Sequence, residues 1–174
     1  MIITDISEQV KSGKILIEPY NPARTSINSH DLTLYRVLAV YKDDVLDAAK
    51  PNDIVYFRIP EEGYVLMPGI IYLGATNERA GSRFYVPKIT GKSSTGRLGI
   101  QVHCTAGFGD VGFEQWWTLE LSVTQPVRIY ANMPICQVYF TAVNKNPELQ
   151  YNGNYSQQGP MPTASKMYKN FPLD

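Results

Sequence analysis

The sequence predicts an all-β domain, a sandwich or barrel, and three observations carry that reading. Apolar residues recur at a period of two in short runs. Glycine and proline fall between these runs, where turns use them and helices do not tolerate them. Helical spacing occurs in one short stretch near the N-terminus.

That stretch is expected to be a short helix: Thr4 can cap it, Ile6 and Val10 share a face, and Gly13 can end it. Strand-like runs follow at residues 32–40, 54–59, 64–67, 70–75 and 84–86, with four more between 98 and 143. Pro60, Gly63, Pro68-Gly69, Gly81, Gly91 and Pro126 punctuate them. After Asn144 the chain turns to Asn, Gln, Gly, Pro, Tyr and Ser with few aliphatic residues. The expectation is a domain over residues 1–144 and a mobile C-terminal arm over 145–174.

A length of 174 residues suits one core. Lys plus Arg balance Asp plus Glu at 16 each, so there is no excess charge to attract a nucleic-acid backbone or an anionic membrane. No apolar run reaches the roughly 18 residues that a membrane helix needs. Cys104 and Cys136 stand far apart and form no CxxC pair, which fits two packed thiols in a reducing compartment. A soluble cytoplasmic protein is expected.

The segment Gly91-Lys-Ser-Ser-Thr-Gly-Arg97 concentrates hydroxyls, glycines and two cations between predicted strands. Its composition suits phosphate oxygens as well as it suits a solvated polar turn. It is not a P-loop, because that motif needs glycine where Val86 stands. Next, Ile100, Val102, Cys104 and Ala106 alternate with Gln101, His103 and Thr105, giving one packed and one polar face. His103 reads as an ordinary polar-face histidine. In Gly107-Phe-Gly-Asp110-Val-Gly-Phe113 the glycines permit close backbone approach around one carboxylate. Asp110 is then either a solvated turn residue or a group that holds a metal or a water.

Along 116–123, Trp117, Leu119, Leu121 and Val123 share one face, while Trp116, Thr118, Glu120 and Ser122 share the other. Glutamate is depleted in strands, and near two tryptophans its carboxylate would be partly desolvated, with its pKa raised toward the range useful for proton transfer. A solvent-facing edge glutamate is the competing reading, and the alternation leaves both open.

Taken together, Gly91-Lys-Ser-Ser-Thr-Gly-Arg97, Thr105-Ala-Gly-Phe108, Asp110-Val-Gly-Phe113 and Thr118-Leu-Glu-Leu121 resemble the dCTP deaminase family in residues and spacing. So do Met133-Pro-Ile-Cys-Gln137, Gln158-Gly-Pro-Met-Pro162 and Asn28-Ser-His-Asp-Leu-Thr-Leu34, whereas 41–87 contributes little. The resemblance implies a distorted β-barrel of the dUTPase type, assembled as a homotrimer with shared active sites, acting on dCTP or dUTP. It implies that Glu120 is the proton-transfer carboxylate, that Ser93 and Arg97 orient the site, and that the Ala106 carbonyl helps to hold the attacking water. Lys92 and Ser94 fall in the phosphate-contacting loop, and Gln137, Tyr151 and Gln157 or Gln158 match nucleotide contacts, the tyrosine and the Gln157 or Gln158 glutamine lying on the arm, which is expected to close over the nucleotide site.

Magnesium ion (Mg2+) is the cation expected, arriving with the triphosphate. Zinc is not expected, because neither histidine lies in a His-x-Glu context and the cysteines form no Pro-Cys-x-x-Cys. Gly107-Phe108 and the ending Tyr168-Lys-Asn-Phe171 resemble members that carry dCTP on to dUMP, and Asp110 occupies their water-positioning place. Departures cluster nearby: Gly109 replaces a usual isoleucine, Val111 a common proline, and Glu114-Gln115-Trp116 a small residue and glycine. Lys92 replaces the commoner arginine, and Asn154-Tyr155 a common Lys-Tyr pair. Two other readings stand beside this one, a plain dUTPase using Asp110 and a nucleotide-sensing protein on the same fold.

Overall fold

In the computed structural model, residues 1–144, 148 and 150–171 are described. The predicted arm positions 145–147, 149 and 172–174 lie outside them.

Helix α1 (Ile6–Lys11) forms as expected, but Asp5, in a left-handed conformation, precedes it instead of Thr4. Ile6 is fully buried and fastens the helix to the core. Strand β1 (Leu16–Glu18) follows, then a single 3₁₀ turn.

The predicted run 32–40 is two strands, β2 (His30–Thr33) and β3 (Val37–Tyr41). Each belongs to a different sheet, and the chain crosses between them at residues 34–36. There the Leu34 N–H donates to the Met133 carbonyl and the Tyr35 N–H donates to the Ala75 carbonyl. One apolar run thus feeds two sheets, which period-two alternation cannot register.

The remaining strands are β4 (Ile54–Arg58), β5 (Tyr64–Leu66), β6 (Tyr72–Gly81), β7 (Tyr85–Gly91), β8 (Ile100–Gln101), β9 (Glu114–Val123), β10 (Val127–Ile129) and β11 (Pro134–Ala142). They form a six-stranded sheet ordered β4-β3-β6-β9-β8 with β1 also on β6, a three-stranded sheet β2-β11-β7, and a β10-β5 pair. All pairings are antiparallel. Their inner faces share one core that includes Leu32, Leu38, Leu66, Leu119, Leu121, Ile135 and Phe140. The fold is all-β, as the alternation and turn chemistry predict.

Strand β6 runs past its predicted end at 75 because it accommodates a bulge. Its register against β9 shifts between Ala75 and Arg79. The Thr76 hydroxyl closes the bulge, donating to the Glu78 carbonyl at 2.7 Å and accepting from the Trp117 N–H at 3.0 Å. Glu78 is carried inside, 1% exposed. Its carboxylate accepts from the Thr33 N–H (2.8 Å), the Thr33 hydroxyl (2.7 Å) and Arg24 (3.1 Å), so the buried charge is both paired and hydrogen-bonded.

Between β7 and β8 the chain forms a short helix, α2 (Ser93–Arg97), and not an open turn. Thr95 is buried and accepts from the Lys92 N–H at 3.1 Å, supplying the capping contact. No helix among the described residues is long and apolar enough to cross a membrane.

Candidate active site

Strand β9 places Trp117, Leu119, Leu121 and Val123 inside, as the alternation predicts. Its other face brings Thr118 and Glu120 to a cavity of about 510 Å³. The cavity wall comprises β9, the loop 104–110, Phe113, Tyr41 and Leu73, and the arm residues Tyr151, Tyr155, Gln158, Thr163 and Ser165.

The loop is held against β7 by main-chain bonds. The Ile89 N–H donates to the Gly107 carbonyl at 2.7 Å, and the Gly109 N–H donates to the Pro87 carbonyl at 2.9 Å. At its far end the Gly112 N–H donates to the Ser82 carbonyl at 2.7 Å, with Gly112 at φ +92°, a conformation that glycine adopts without strain. Asp110 is exposed at the tip.

Glu120 is half-buried, and the Cys104 N–H donates to its Oε2 at 3.2 Å. Burial is the main influence and pushes its pKa up. The Cys104 N–H and the nearby His103 oppose that rise only in part. Of the two tryptophans, one shares the cavity wall with Glu120. Trp116 lies under Arg79, 5.5 Å from ring centroid to guanidinium carbon, and donates to the Asn77 carbonyl, whereas Trp117 lines the cavity. A partly desolvated carboxyl takes up a proton more readily than an exposed one, which suits it to proton transfer. Cys104, also on the wall, is exposed.

Described residues of the arm lie over this cavity. The Gln158 side-chain amide donates to Thr118 Oγ1 at 2.5 Å, and the Thr163 N–H donates to the same oxygen at 3.1 Å. The Ser165 N–H donates to the Tyr41 hydroxyl (3.0 Å) and Gln115 donates to the Ser156 carbonyl (2.9 Å). Gln158 is 7% exposed and faces the cavity, whereas Gln157 points to solvent.

The other candidates gather at a second location, where β7, α2, β2 and β11 meet. Lys92 pairs with Asp31. Gln137 donates to the Gly91 carbonyl at 3.3 Å and accepts from the Ser29 hydroxyl at 3.2 Å. Ser93, Ser94 and Arg97 ride on α2, and Arg97 enters no ion pair among the described residues. None of Lys92, Ser93, Ser94, Arg97 and Gln137 reaches the wall of the Glu120 cavity. Among the described residues no three His, Cys, Asp or Glu side chains gather where they could share a metal ion.

A protein-family model described as dCTP deaminase-like matches residues 3–143. The chain belongs to the dCTP deaminase-like family. Among curated proteins, the dUMP-forming dCTP deaminase of Clostridium botulinum (strain Alaska E43 / Type E3) is 49% identical over 157 residues, covering 90% of each chain. A protein of the same name from Clostridium acetobutylicum is 46% identical over 168 residues, covering 94% of this chain and 96% of that one. The crystal structure of the 2'-deoxycytidine 5'-triphosphate deaminase from Agrobacterium tumefaciens matches with a TM-score of 0.65 at 19% identity. That match covers 82% of this chain and 48% of the other, and it shows a shared fold.

Within this dCTP deaminase-like chain, Glu120, Ala106, Asp110, Tyr151 and Gln158 converge on one cavity, and the remaining candidates sit together elsewhere. The cavity also draws on Thr118, Thr163, Tyr41 and Trp117, none of which stood out in the sequence as site residues. Only Thr118 carried a signal, through its place on Glu120's face of β9.

Proposed function

We propose that this protein is a zinc-independent dCTP deaminase that continues to dUMP. In the first step water adds to C4 of cytosine and ammonia leaves, giving dUTP. In the second, water attacks the α-phosphorus and pyrophosphate leaves, giving dUMP. The observation that carries the first step is Glu120, partly desolvated at the cavity wall and held by the Cys104 N–H.

Adding water at C4 requires a base for its proton and an acid for the departing amine. Glu120 does both in turn. It takes the proton from water that the Ala106 carbonyl helps to hold, then delivers it to the amine. Ser93 and Arg97 orient the base. Lys92 and Ser94 contact the triphosphate, whose Mg2+ enters as part of the substrate. Gln137, Tyr151 and Gln158 contact the nucleotide, with Gln157 the less favoured of the two glutamines because it faces solvent. Asp110, exposed on the loop beside the same cavity, positions the second water.

The division of these residues between two locations supports a homotrimer in which α2 of one subunit completes the Glu120 cavity of the next. Residues 145–174 act as the arm that closes this site, and residues 1–144 as the barrel that carries it. A cytoplasmic setting suits a nucleotide substrate.

Incubation with dCTP and Mg2+, following ammonia and separating dUTP from dUMP, tests the reading. Ammonia with direct formation of dUMP supports both steps, and accumulating dUTP removes the second. Absence of ammonia, or full activity in Glu120→Gln, overturns the assignment. Mixing inactive Ser93→Ala and Glu120→Gln subunits tests the shared site, since activity returns only if different subunits supply the two residues.

A further inference from the structure

Gly109 and Trp117 fit each other in a way that neither residue shows alone. A Cβ at Gly109 would stand 2.6 Å from Cη2 of the Trp117 indole and 3.0 Å from Cγ of Pro87, so the backbone of the Asp110 loop rests directly on the indole edge. The indole has no room to yield. Its N–H donates to the Ala80 carbonyl at 2.9 Å, and Phe113 packs edge-on to it with ring centroids 4.8 Å apart. Pro87 is equally fixed, since its carbonyl receives the Gly109 N–H.

Asp110 is the next residue along. Its own carbonyl accepts from the Phe113 N–H at 3.1 Å, so the tip is braced by Gly109 against Trp117 on one side and by Phe113 against Trp117 on the other. The same aromatic contacts continue to Tyr151, whose ring lies 5.5 Å from Phe113 and whose N–H donates to the Val111 carbonyl at 2.9 Å. One buried indole, 6% exposed, therefore sets the height of the loop tip at Gly109 and Asp110.

We propose that Trp117 is a positioning residue for Asp110, with Gly109 as its obligate partner, and that the pair governs how dUTP divides between release and conversion to dUMP. The proposal rests on the two-step reading above. Glu120 is held by the Cys104 N–H, at the start of the loop and outside the braced tip. Changes at the pair therefore bear on the second step more than on the first.

The test is a cycle of G109A, W117F and G109A/W117F, reading the ratio of dUMP to dUTP formed from dCTP together with ammonia release. G109A lifts the tip by forcing a methyl group against the indole, and W117F lets it sink by withdrawing the support. A displacement near 1 Å is expected to lower the dUMP to dUTP ratio by about 100-fold in G109A, with a smaller fall in ammonia release. In the double variant the methyl group fills the space left by the indole, and the ratio returns toward wild type. Unchanged ratios in both single variants, or a double variant no better than either single, overturn the proposal while leaving the two-step reading intact. Wild-type protein that releases only dUTP overturns that reading and the proposal with it. Should G109A not fold, W117F carries the same test, and an unchanged ratio there overturns the proposal.

Discussion

Gln158 and Thr118 are 40 residues apart in sequence, and their side chains meet at 2.5 Å on the rim of the cavity. The same Thr118 oxygen receives the Thr163 N–H, so one hydroxyl anchors the arm at two points. Both donors come from the tail, and Gln158 is withdrawn from water there.

Thr118→Val keeps the shape of the side chain and removes the acceptor, leaving two donors unsatisfied at a cost of about 1–3 kcal/mol. The arm then spends more time open. The expected result is a KM for dCTP raised about tenfold with a smaller change in kcat, and faster amide hydrogen exchange over 151–166. Unaltered exchange would place the anchor elsewhere.

Glu120→Gln removes ammonia release by at least about 100-fold. Its effect on stability has a definite sign. The folded-state pKa of Glu120 is raised, so the folded protein binds more protons than the unfolded chain between the ordinary glutamate pKa and the raised one. Stability is lost as pH rises through that window. The Gln variant should therefore melt at or above wild type at neutral pH, with the advantage disappearing in acid, as thermal unfolding between pH 4 and 8 would show.

His30 titrates in the opposite sense. It is fully buried, its Nδ1 is 2.8 Å from the Thr25 hydroxyl, and burial holds its pKa down to about 4. The unfolded chain takes up this proton near pH 6.5, so stability falls as pH drops from there toward 4, by up to about 3 kcal/mol. His30→Gln should flatten that part of the profile in denaturant titrations.

Arg24→Ala strips the cationic partner from the Glu78 carboxylate, whose side chain is 2% exposed. Breaking a buried pair from one side costs about 3 kcal/mol, an upper value here because Arg24 is partly exposed and Glu78 keeps its two Thr33 donors. For a chain of this size the melting temperature should fall by up to about 6–12 °C. Activity per folded molecule should hold, because neither residue lines the cavity.

Much of this architecture was legible because it is local. Alternation placed Trp117, Leu119, Leu121 and Val123 inside and Glu120 outside, and turn residues separated the strands. What escaped depended on partners distant in sequence. The run 32–40 was split because its halves pair with β11 in one sheet and with β4 and β6 in another. The bulge at Thr76 and Glu78 depends on Trp117 and Thr33. The same limit applied to the site. A carboxylate between apolar neighbours drew attention to Glu120, but nothing near Thr118 announced that a tail 40 residues away would settle on it. The polar composition of the arm gave no pattern of apolar residues to follow, and the Gln158 side chain and the Thr163 and Ser165 N–H groups find their partners on β9 and β3.

The two cysteines are placed very differently. Cys136 is completely buried in β11, and burial pushes its thiol pKa far above the ordinary range, so it should stay inert toward alkylating reagents. Cys104 is exposed on the wall beside Glu120. A maleimide dye or spin label should therefore attach at a single place without any engineered residue, where its spectrum would register the arrival of nucleotide and the opening of the arm on the same wild-type chain.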